Sequence, residues 1–311
     1  MPKFRRFAVE RNDYTVARSL KKKREPFNIR KEIRFLPGYT LCALWVLFTI
    51  VLIGWTIAAS FVTPREVFGG DVIGAFFERL RNFDLRFENY ALAWGSQNLS
   101  GFFLNSVIYS AISLTAIIVI AAPASYALSR FRFRFNGLIQ NMTSIAMGVP
   151  AVMVIMPLFS IATAISATGT RSSLIFLYIG MNIPFTIFYL LPFFKNLPSG
   201  LEEAGAIDGC SPVRTFWRIM FPLAQPGIIT VTIFNFITIW NEFFISMIFA
   251  NDAAIRPIAV GLFNMVQGMK YSGHWGAMFA SAVIVFAPTL VLFIFLSNKI
   301  IAGITGGAIK G

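Results

Sequence analysis

Reactive side chains are scarce in this sequence. It has two cysteines, Cys42 and Cys210, and one histidine, His274. Two separated cysteines describe no disulfide framework, so both are expected to be free. With a single imidazole they also argue against a thiolate and imidazole metal centre. Charge is scarce as well: 13% of residues are charged, against roughly 25% in soluble domains. There is no G-x-x-x-x-G-K-[ST] phosphate loop, and the terminal run Gly306–Gly307–Ala308–Ile309–Lys310–Gly311 has the wrong order. No nucleophile–base pair or carboxylate dyad appears, so a membrane enzyme has no catalytic cluster to use.

Apolar residues are abundant. They make up 56% of the 311 residues, with 34 phenylalanines and a mean hydropathy of +0.68. A single soluble domain of this length cannot hide that much apolar surface. The class is an all-α integral membrane protein. Runs of about 20 apolar residues read as membrane helices, and six are expected: 41–62, 102–128, 138–164, 172–194, 226–250 and 276–298. The first run is too long, and begins too far into the chain, for a signal peptide.

The net charge of +13 is organised by topology. About a dozen basic residues precede Phe35, including Lys3, Arg5, Arg6 and the run Lys21–Arg24. If the N-terminus is inside, the external segments hold Arg65, Arg79, Arg81, Arg86, Arg171, Arg256 and Lys270. These are seven of the 27 basic residues, leaving 20 inside. Positive charge favours the cytoplasmic side, so both termini are expected there. No nucleic-acid partner is implied. Residues 1–40 read as a basic arm that is solvated and touches anionic headgroups. The external loop 63–101 mixes aromatic, basic and acidic residues and is expected to form short surface helices. Residues 102–299 form the core, and 300–311 a cytoplasmic tail. Internal prolines (Pro123, Pro150, Pro157, Pro184, Pro192, Pro288) each remove a helical hydrogen bond.

Between the fourth and fifth runs lies a cytoplasmic loop, 197–222, with the punctuation of two short helices. Ser199 and Glu202 have capping-box spacing. Glu202 and Glu203 suit the positive end of a first turn. Gly209 can take the positive φ of a helix stop, and Ser211–Pro212 restarts a helix as cap and first residue. Pro222 and Pro226 close the segment. Small residues at Ala204, Gly205 and Ala206 would let a partner approach the backbone. Such an elbow can pass force into the membrane without any reactive group.

The stretch Glu203–Ala204–Gly205, then Gly209, then Ile219–Met220–Phe221–Pro222 resembles the EAA loop of ABC importer permeases of type I. All its spacings match. Gly205 stands for the second alanine and Phe221 for a leucine. The resemblance implies that Glu202, Glu203, Ala204, Gly205, Ala206, Asp208 and Gly209 dock on an ATPase subunit that binds ATP and magnesium, this chain holding neither. Further stretches resemble the carbohydrate-uptake branch, to which maltose permeases belong. They include Asn105–Ser106, Ala124–Phe133, Ile183–Pro184–Phe185 and Trp240–Phe243. The implied partners are a second permease, two ATPase subunits, an external binding protein and a carbohydrate cargo, at a bacterial inner membrane. A permease for another solute is the nearest alternative. An ion-coupled transporter would need several intramembrane ionisable groups, and only Glu242 qualifies. Asn235, Trp240, Asn241 and Glu242 are the candidate cargo contacts. Asn235 and Glu242, seven residues apart, would share a helical face, from which Trp240 and Asn241 diverge.

Overall fold

The computed structural model describes the backbone over residues 29–308 and side chains over 35–268 and 273–297. The expected basic arm up to residue 28, and the end of the tail from 309, lie outside the described residues. Among the described residues every regular element is helical. The chain divides into two units, Met1–Ile53 and Gly54–Gly311.

Helix α1, Ile29–Ser60, is apolar from Phe35 onward. In the first unit it leaves Leu41, Trp45 and Leu47 bare, a surface that hydrocarbon solvates and water does not. In the second unit come three short helices: α2 Pro64–Phe68, α3 Val72–Arg81 and α4 Glu88–Ala91, the last running into a π-turn over Leu92–Ser96. They are the short helices expected of segment 63–101. Their fold is pinned by Arg79, which bonds Glu66 at 2.9 Å and Asp84 at 2.6 Å. Thr63 and Glu66 complete a capping box on α2.

Helices α5, Leu99–Arg130, and α8, Arg171–Asn196, form the most extensive pair. Buried Ser110, Ser113, Ala121, Ala122 and Ser125 on α5 let the backbones approach, as small residues do between membrane helices. Between them lie α6, Asn136–Gly148, and α7, Ala151–Ala164. The sequence reads 138–164 as one continuous span, but these two helices meet at 103°. The cause is local: a residue before proline avoids helical ψ, and Val149, before Pro150, is extended at ψ 117°.

The fifth span also departs from expectation. Helix α12, Gln225–Trp240, stops before Asn241, and a separate α13, Phe244–Phe249, follows. A 3₁₀ turn, Ala253–Ile255, leads to α14, Ile258–Ser272, in a stretch that lies between the expected apolar runs 226–250 and 276–298. The last helix, α15, is Trp275–Ala308. Among the described residues four helices are long and apolar enough to cross a membrane, or up to six if each bent pair counts as one span.

Candidate functional site

At one end of the α5–α8 pair the chain leaves α8 through Leu197 and forms a hairpin. Its first arm is α9, Gly200–Ile207. The return is α10, Pro212–Thr215, a π-turn over Phe216–Met220 and α11, Phe221–Leu223. Gly209 sits at φ +75°, where a Cβ costs roughly 1–2 kcal/mol. Ser211 caps α10 by accepting from the Arg214 amide at 3.3 Å, and Pro212 is the first residue of α10. The return arm meets α12 at 77°, turning at Ala224 between Pro222 and Pro226.

Two expectations about this hairpin are corrected. Ser199 and Glu202 form no capping box. Ser199 has helical dihedrals (φ −65°, ψ −28°) and makes no side-chain cap bond. Glu202 instead lies 3.3 Å from Arg130 Nε at the end of α5. Gly205 does not open the backbone to a partner: it is buried, and a Cβ there would meet Thr215 Oγ1 and Ile219 Cδ1, each at 3.2 Å. Its smallness lets the two arms close on each other. Glu203, Ala204, Ala206, Asp208 and Gly209 are exposed. The tip also bares two aliphatic side chains, Ile207 at 86% and Val213 at 68%.

The base of the hairpin is fixed. Phe194, Phe216 and Met220 pack with Tyr126 of α5 and Leu190 of α8 in one buried cluster. Arg130 donates to the Leu197 carbonyl as well as facing Glu202. Asn136 donates to the carbonyls of Leu128 and Phe131, and Gln140 to that of Leu128, each within 3.0 Å. The turn between α5 and α6 is thereby bolted to the same corner. A cleft of about 530 Å³ lined by Arg130, Arg132, Asn136, Ser199 and Glu202 lies there.

The four expected cargo contacts do not gather. Asn235 is fully buried and donates to Thr186 Oγ1 at 2.8 Å, joining α12 to α8. Trp240 is buried against Phe103 and Phe236 and donates to the Val285 carbonyl at 3.1 Å, joining α12 to α15. Asn241 is exposed and turns back to the Ile237 carbonyl. Glu242 lies past the end of α12, so the seven-residue spacing to Asn235 does not place the two on one helical face. Its carboxylate accepts from the Ile245 amide at 2.7 Å and the Ser246 amide at 3.0 Å. The Ser246 hydroxyl donates to it at 2.5 Å, and Tyr178 Oη lies at 3.5 Å. The acid therefore serves buried amides of the first turn of α13 that have no acceptor within the helix, where a helix favours negative charge. Beside it is a cavity of about 210 Å³ lined by Tyr178, Asn182, Thr238 and Glu242 among apolar residues.

At the far end of α5, Asn105, Ser106 and Tyr109 hold the segment between α13 and α14. Asn105 Nδ2 donates to the carbonyls of Ala254 and Arg256 at 2.9 and 3.0 Å. Asn105 and Ser106 stand out in the sequence only by resemblance; their hydrogen bonds give the physical reason for those residue types.

The family profile described as a binding-protein-dependent transport system inner membrane component matches residues 115–300. The chain belongs to this family. It is a multi-pass membrane permease subunit of an ABC importer, the transport component rather than its catalytic subunit, and its family implies ATPase and binding-protein partners. Among relatives of this permease is the diacetylchitobiose uptake system permease protein NgcG of Streptomyces coelicolor, 31% identical and covering 88% of both chains. The trehalose/maltose transport system permease protein MalG of Thermococcus litoralis is 27% identical, over 91% of this chain and 98% of its own. A bacterial ABC transporter importing the acidic polysaccharide alginate shares the fold, with a TM-score of 0.75 over 88% of this permease and 99% of that chain, at 19% identity.

Residues that sequence reasoning passed over carry much of this permease's geometry. Arg130 enters the sequence reading only within the stretch Ala124–Phe133, with no role of its own. Tyr178, Asn182 and Thr186 recur every four residues along α8, a helical period that marks one face, and the structure turns that face toward α12 and Glu242.

Proposed function

We propose that this chain forms half of the translocation path of a carbohydrate importer, with both termini in the cytoplasm. A second permease completes the path, two ATPase subunits dock from the cytoplasm, and an external binding protein delivers the cargo. ATP and magnesium belong to the ATPase subunits. Residues Glu203, Ala204, Ala206, Asp208 and Gly209 form the ATPase-facing side of the hairpin, Gly205 shapes it from within, and Glu202 anchors its base to Arg130. The observation that carries this reading is the hairpin itself. It couples a bare tip at Ile207 and Val213 to a base packed against α5 and α8, so force on the tip has a rigid path into the membrane. The carbohydrate assignment is supported by relatives named for diacetylchitobiose and for trehalose and maltose. The cavity beside Glu242 is the part of this chain best suited to face the path, with the acid itself holding the start of α13 at its edge. Ring hydroxyls need hydrogen-bonding groups, and Tyr178, Asn182 and Thr238 supply them.

The cycle is alternating access: ATPase closure draws the hairpin, the path opens outward to accept cargo, and hydrolysis returns it. Reconstituted complexes tested for ATPase stimulation across sugars, amino acids and peptides should respond to sugars only. Cysteines placed at Ala204 or Ala206 should crosslink to the ATPase subunit. Gly209→Pro removes an amide that bonds the Ala206 carbonyl at 3.1 Å and forces φ to about −65°. It should insert normally yet lose coupled hydrolysis. Full transport by that variant, or a chain that moves solute without an ATPase, would refute the reading.

A further inference from the structure

Helix α5 is clamped at both ends, each time to a segment that leaves the helical bundle. At the hairpin end, Arg130 holds the Leu197 carbonyl and Glu202. Ser106 lies about 36 Å away along the same helix, at ~1.5 Å per residue. There a second clamp grips the chain between α13 and α14. Asn105 donates to the Ala254 and Arg256 carbonyls at 2.9 and 3.0 Å. Tyr109 Oη donates to the Ile255 carbonyl at 2.6 Å. Ser106 Oγ accepts from the Ile258 amide at 2.8 Å. Arg171, the first residue of α8, donates to Asn105 Oδ1 and to the Ala254 carbonyl, both at 3.0 Å. Asn105, Ser106 and Tyr109 are all buried.

Surface connections are ordinarily the loosest part of a fold, and few have successive carbonyls held by buried side chains of one helix. Between the clamps α5 runs as one helix through Pro123, backed along its length by α8. Its small buried residues lie close to α8, the Tyr109 and Tyr178 rings meet edge to face at 6.1 Å, and Tyr126 meets Phe194 at 5.7 Å. An interior packed this densely transmits displacement instead of absorbing it.

We propose that α5 is a connecting rod that converts movement of the hairpin into movement of the Ala254–Ile258 segment at the opposite end. Asn105, Ser106, Tyr109 and Arg171 are positioning residues of that linkage, which reports the arrival of the external binding protein to the ATPase. The proposal rests on the hairpin's docking to the ATPase.

The test uses the complete reconstituted transporter, with ATPase rate measured against the concentration of loaded binding protein. Tyr109→Phe and Ser106→Ala each delete one oxygen atom and keep the packing. Each should lower maximal stimulation about fivefold, the scale of one buried hydrogen bond. The half-maximal concentration should stay within about twofold, because docking itself is untouched. Glu202→Gln at the other end should give the same loss. The double variant Tyr109→Phe/Glu202→Gln should be no worse than the poorer single one, as expected when two sites serve one linkage.

Full maximal stimulation in both oxygen-deleted variants would overturn the rod. So would losses that multiply in the double variant, or a shift in half-maximal concentration alone, which would make the segment a docking surface. If an Ala206→Cys crosslink to the ATPase forms while these variants stay fully stimulated, only the rod falls. If that crosslink never forms, the hairpin reading falls and the rod with it.

Discussion

Glu242 shows how a carboxylate survives within an otherwise apolar segment. A charge at mid-bilayer costs ~2.5–3.5 kcal/mol on insertion scales. Here the cost is offset by two backbone amides, a hydroxyl and the start of a helix. Glu242→Ala leaves the Ile245 and Ser246 amides without their acceptor and should lower subunit stability by about 2 kcal/mol, read as a fall in melting temperature in detergent. Glu242→Gln keeps an acceptor and should lose less than half of that. A variant of wild-type stability with altered cargo preference would instead place the side chain on the path. Outside the spans, Glu66 is the counter-example of an acid held by its partner. Chiefly through the Arg79 hydrogen bond, its carboxyl falls from the ordinary 4.5 to about 2. A depressed carboxyl stabilises the fold fully above its ordinary value and ceases to do so as pH falls through its folded one. The protection of amides 63–90 against hydrogen exchange, taken relative to the intrinsic rate at each pH, should therefore fall between pH 4.5 and about 2, and Arg79→Ala should remove that dependence.

Among the elements, the hairpin depends on two glycines for different reasons. Gly209 is needed for its backbone conformation. Gly205 is needed for space, and only partly. Gly205→Ala puts a methyl at 3.2 Å from Thr215 Oγ1 and from the movable end of Ile219. It also relieves the glycine penalty of a helix interior, up to about 1 kcal/mol. The change should be neutral or slightly stabilising with coupling kept. Gly205→Leu should part the two arms and abolish ATPase coupling while the protein still inserts. Retained coupling in Gly205→Leu would mean that the arms need not touch. The broken spans obey similarly local rules. Proline fixes the bend at Val149–Pro150, and the carboxylate of Glu242 rewards a new helix start after Trp240.

Across the whole molecule, polar side chains act as rivets between apolar helices. Asn235 joins α12 to α8, Trp240 joins α12 to α15, and Asn105 joins α5 to the segment before α14. Trp240→Phe keeps an aromatic ring and loses one bond, so it should cost about 1 kcal/mol of stability and leave cargo preference unchanged. A panel of sugars in the reconstituted transporter checks this; altered preference would move Trp240 from joint to path.

By itself the sequence determined whatever depends on composition and local spacing. The all-helical membrane class follows from the excess of apolar over charged residues, because only helices and closed barrels satisfy their backbone in lipid. The hairpin's turn was legible at Gly209 and Ser211–Pro212, because positive φ and proline geometry are properties of single residues. The tertiary structure alone decided which way polar side chains point. Glu202 turns from its own helix cap to Arg130, and Gly205 faces inward. Trp240 is buried and Asn241 exposed, and the grip of Asn105 on Ala254 spans 149 residues. Such choices are settled by partners distant in the chain, and linear spacing does not encode them.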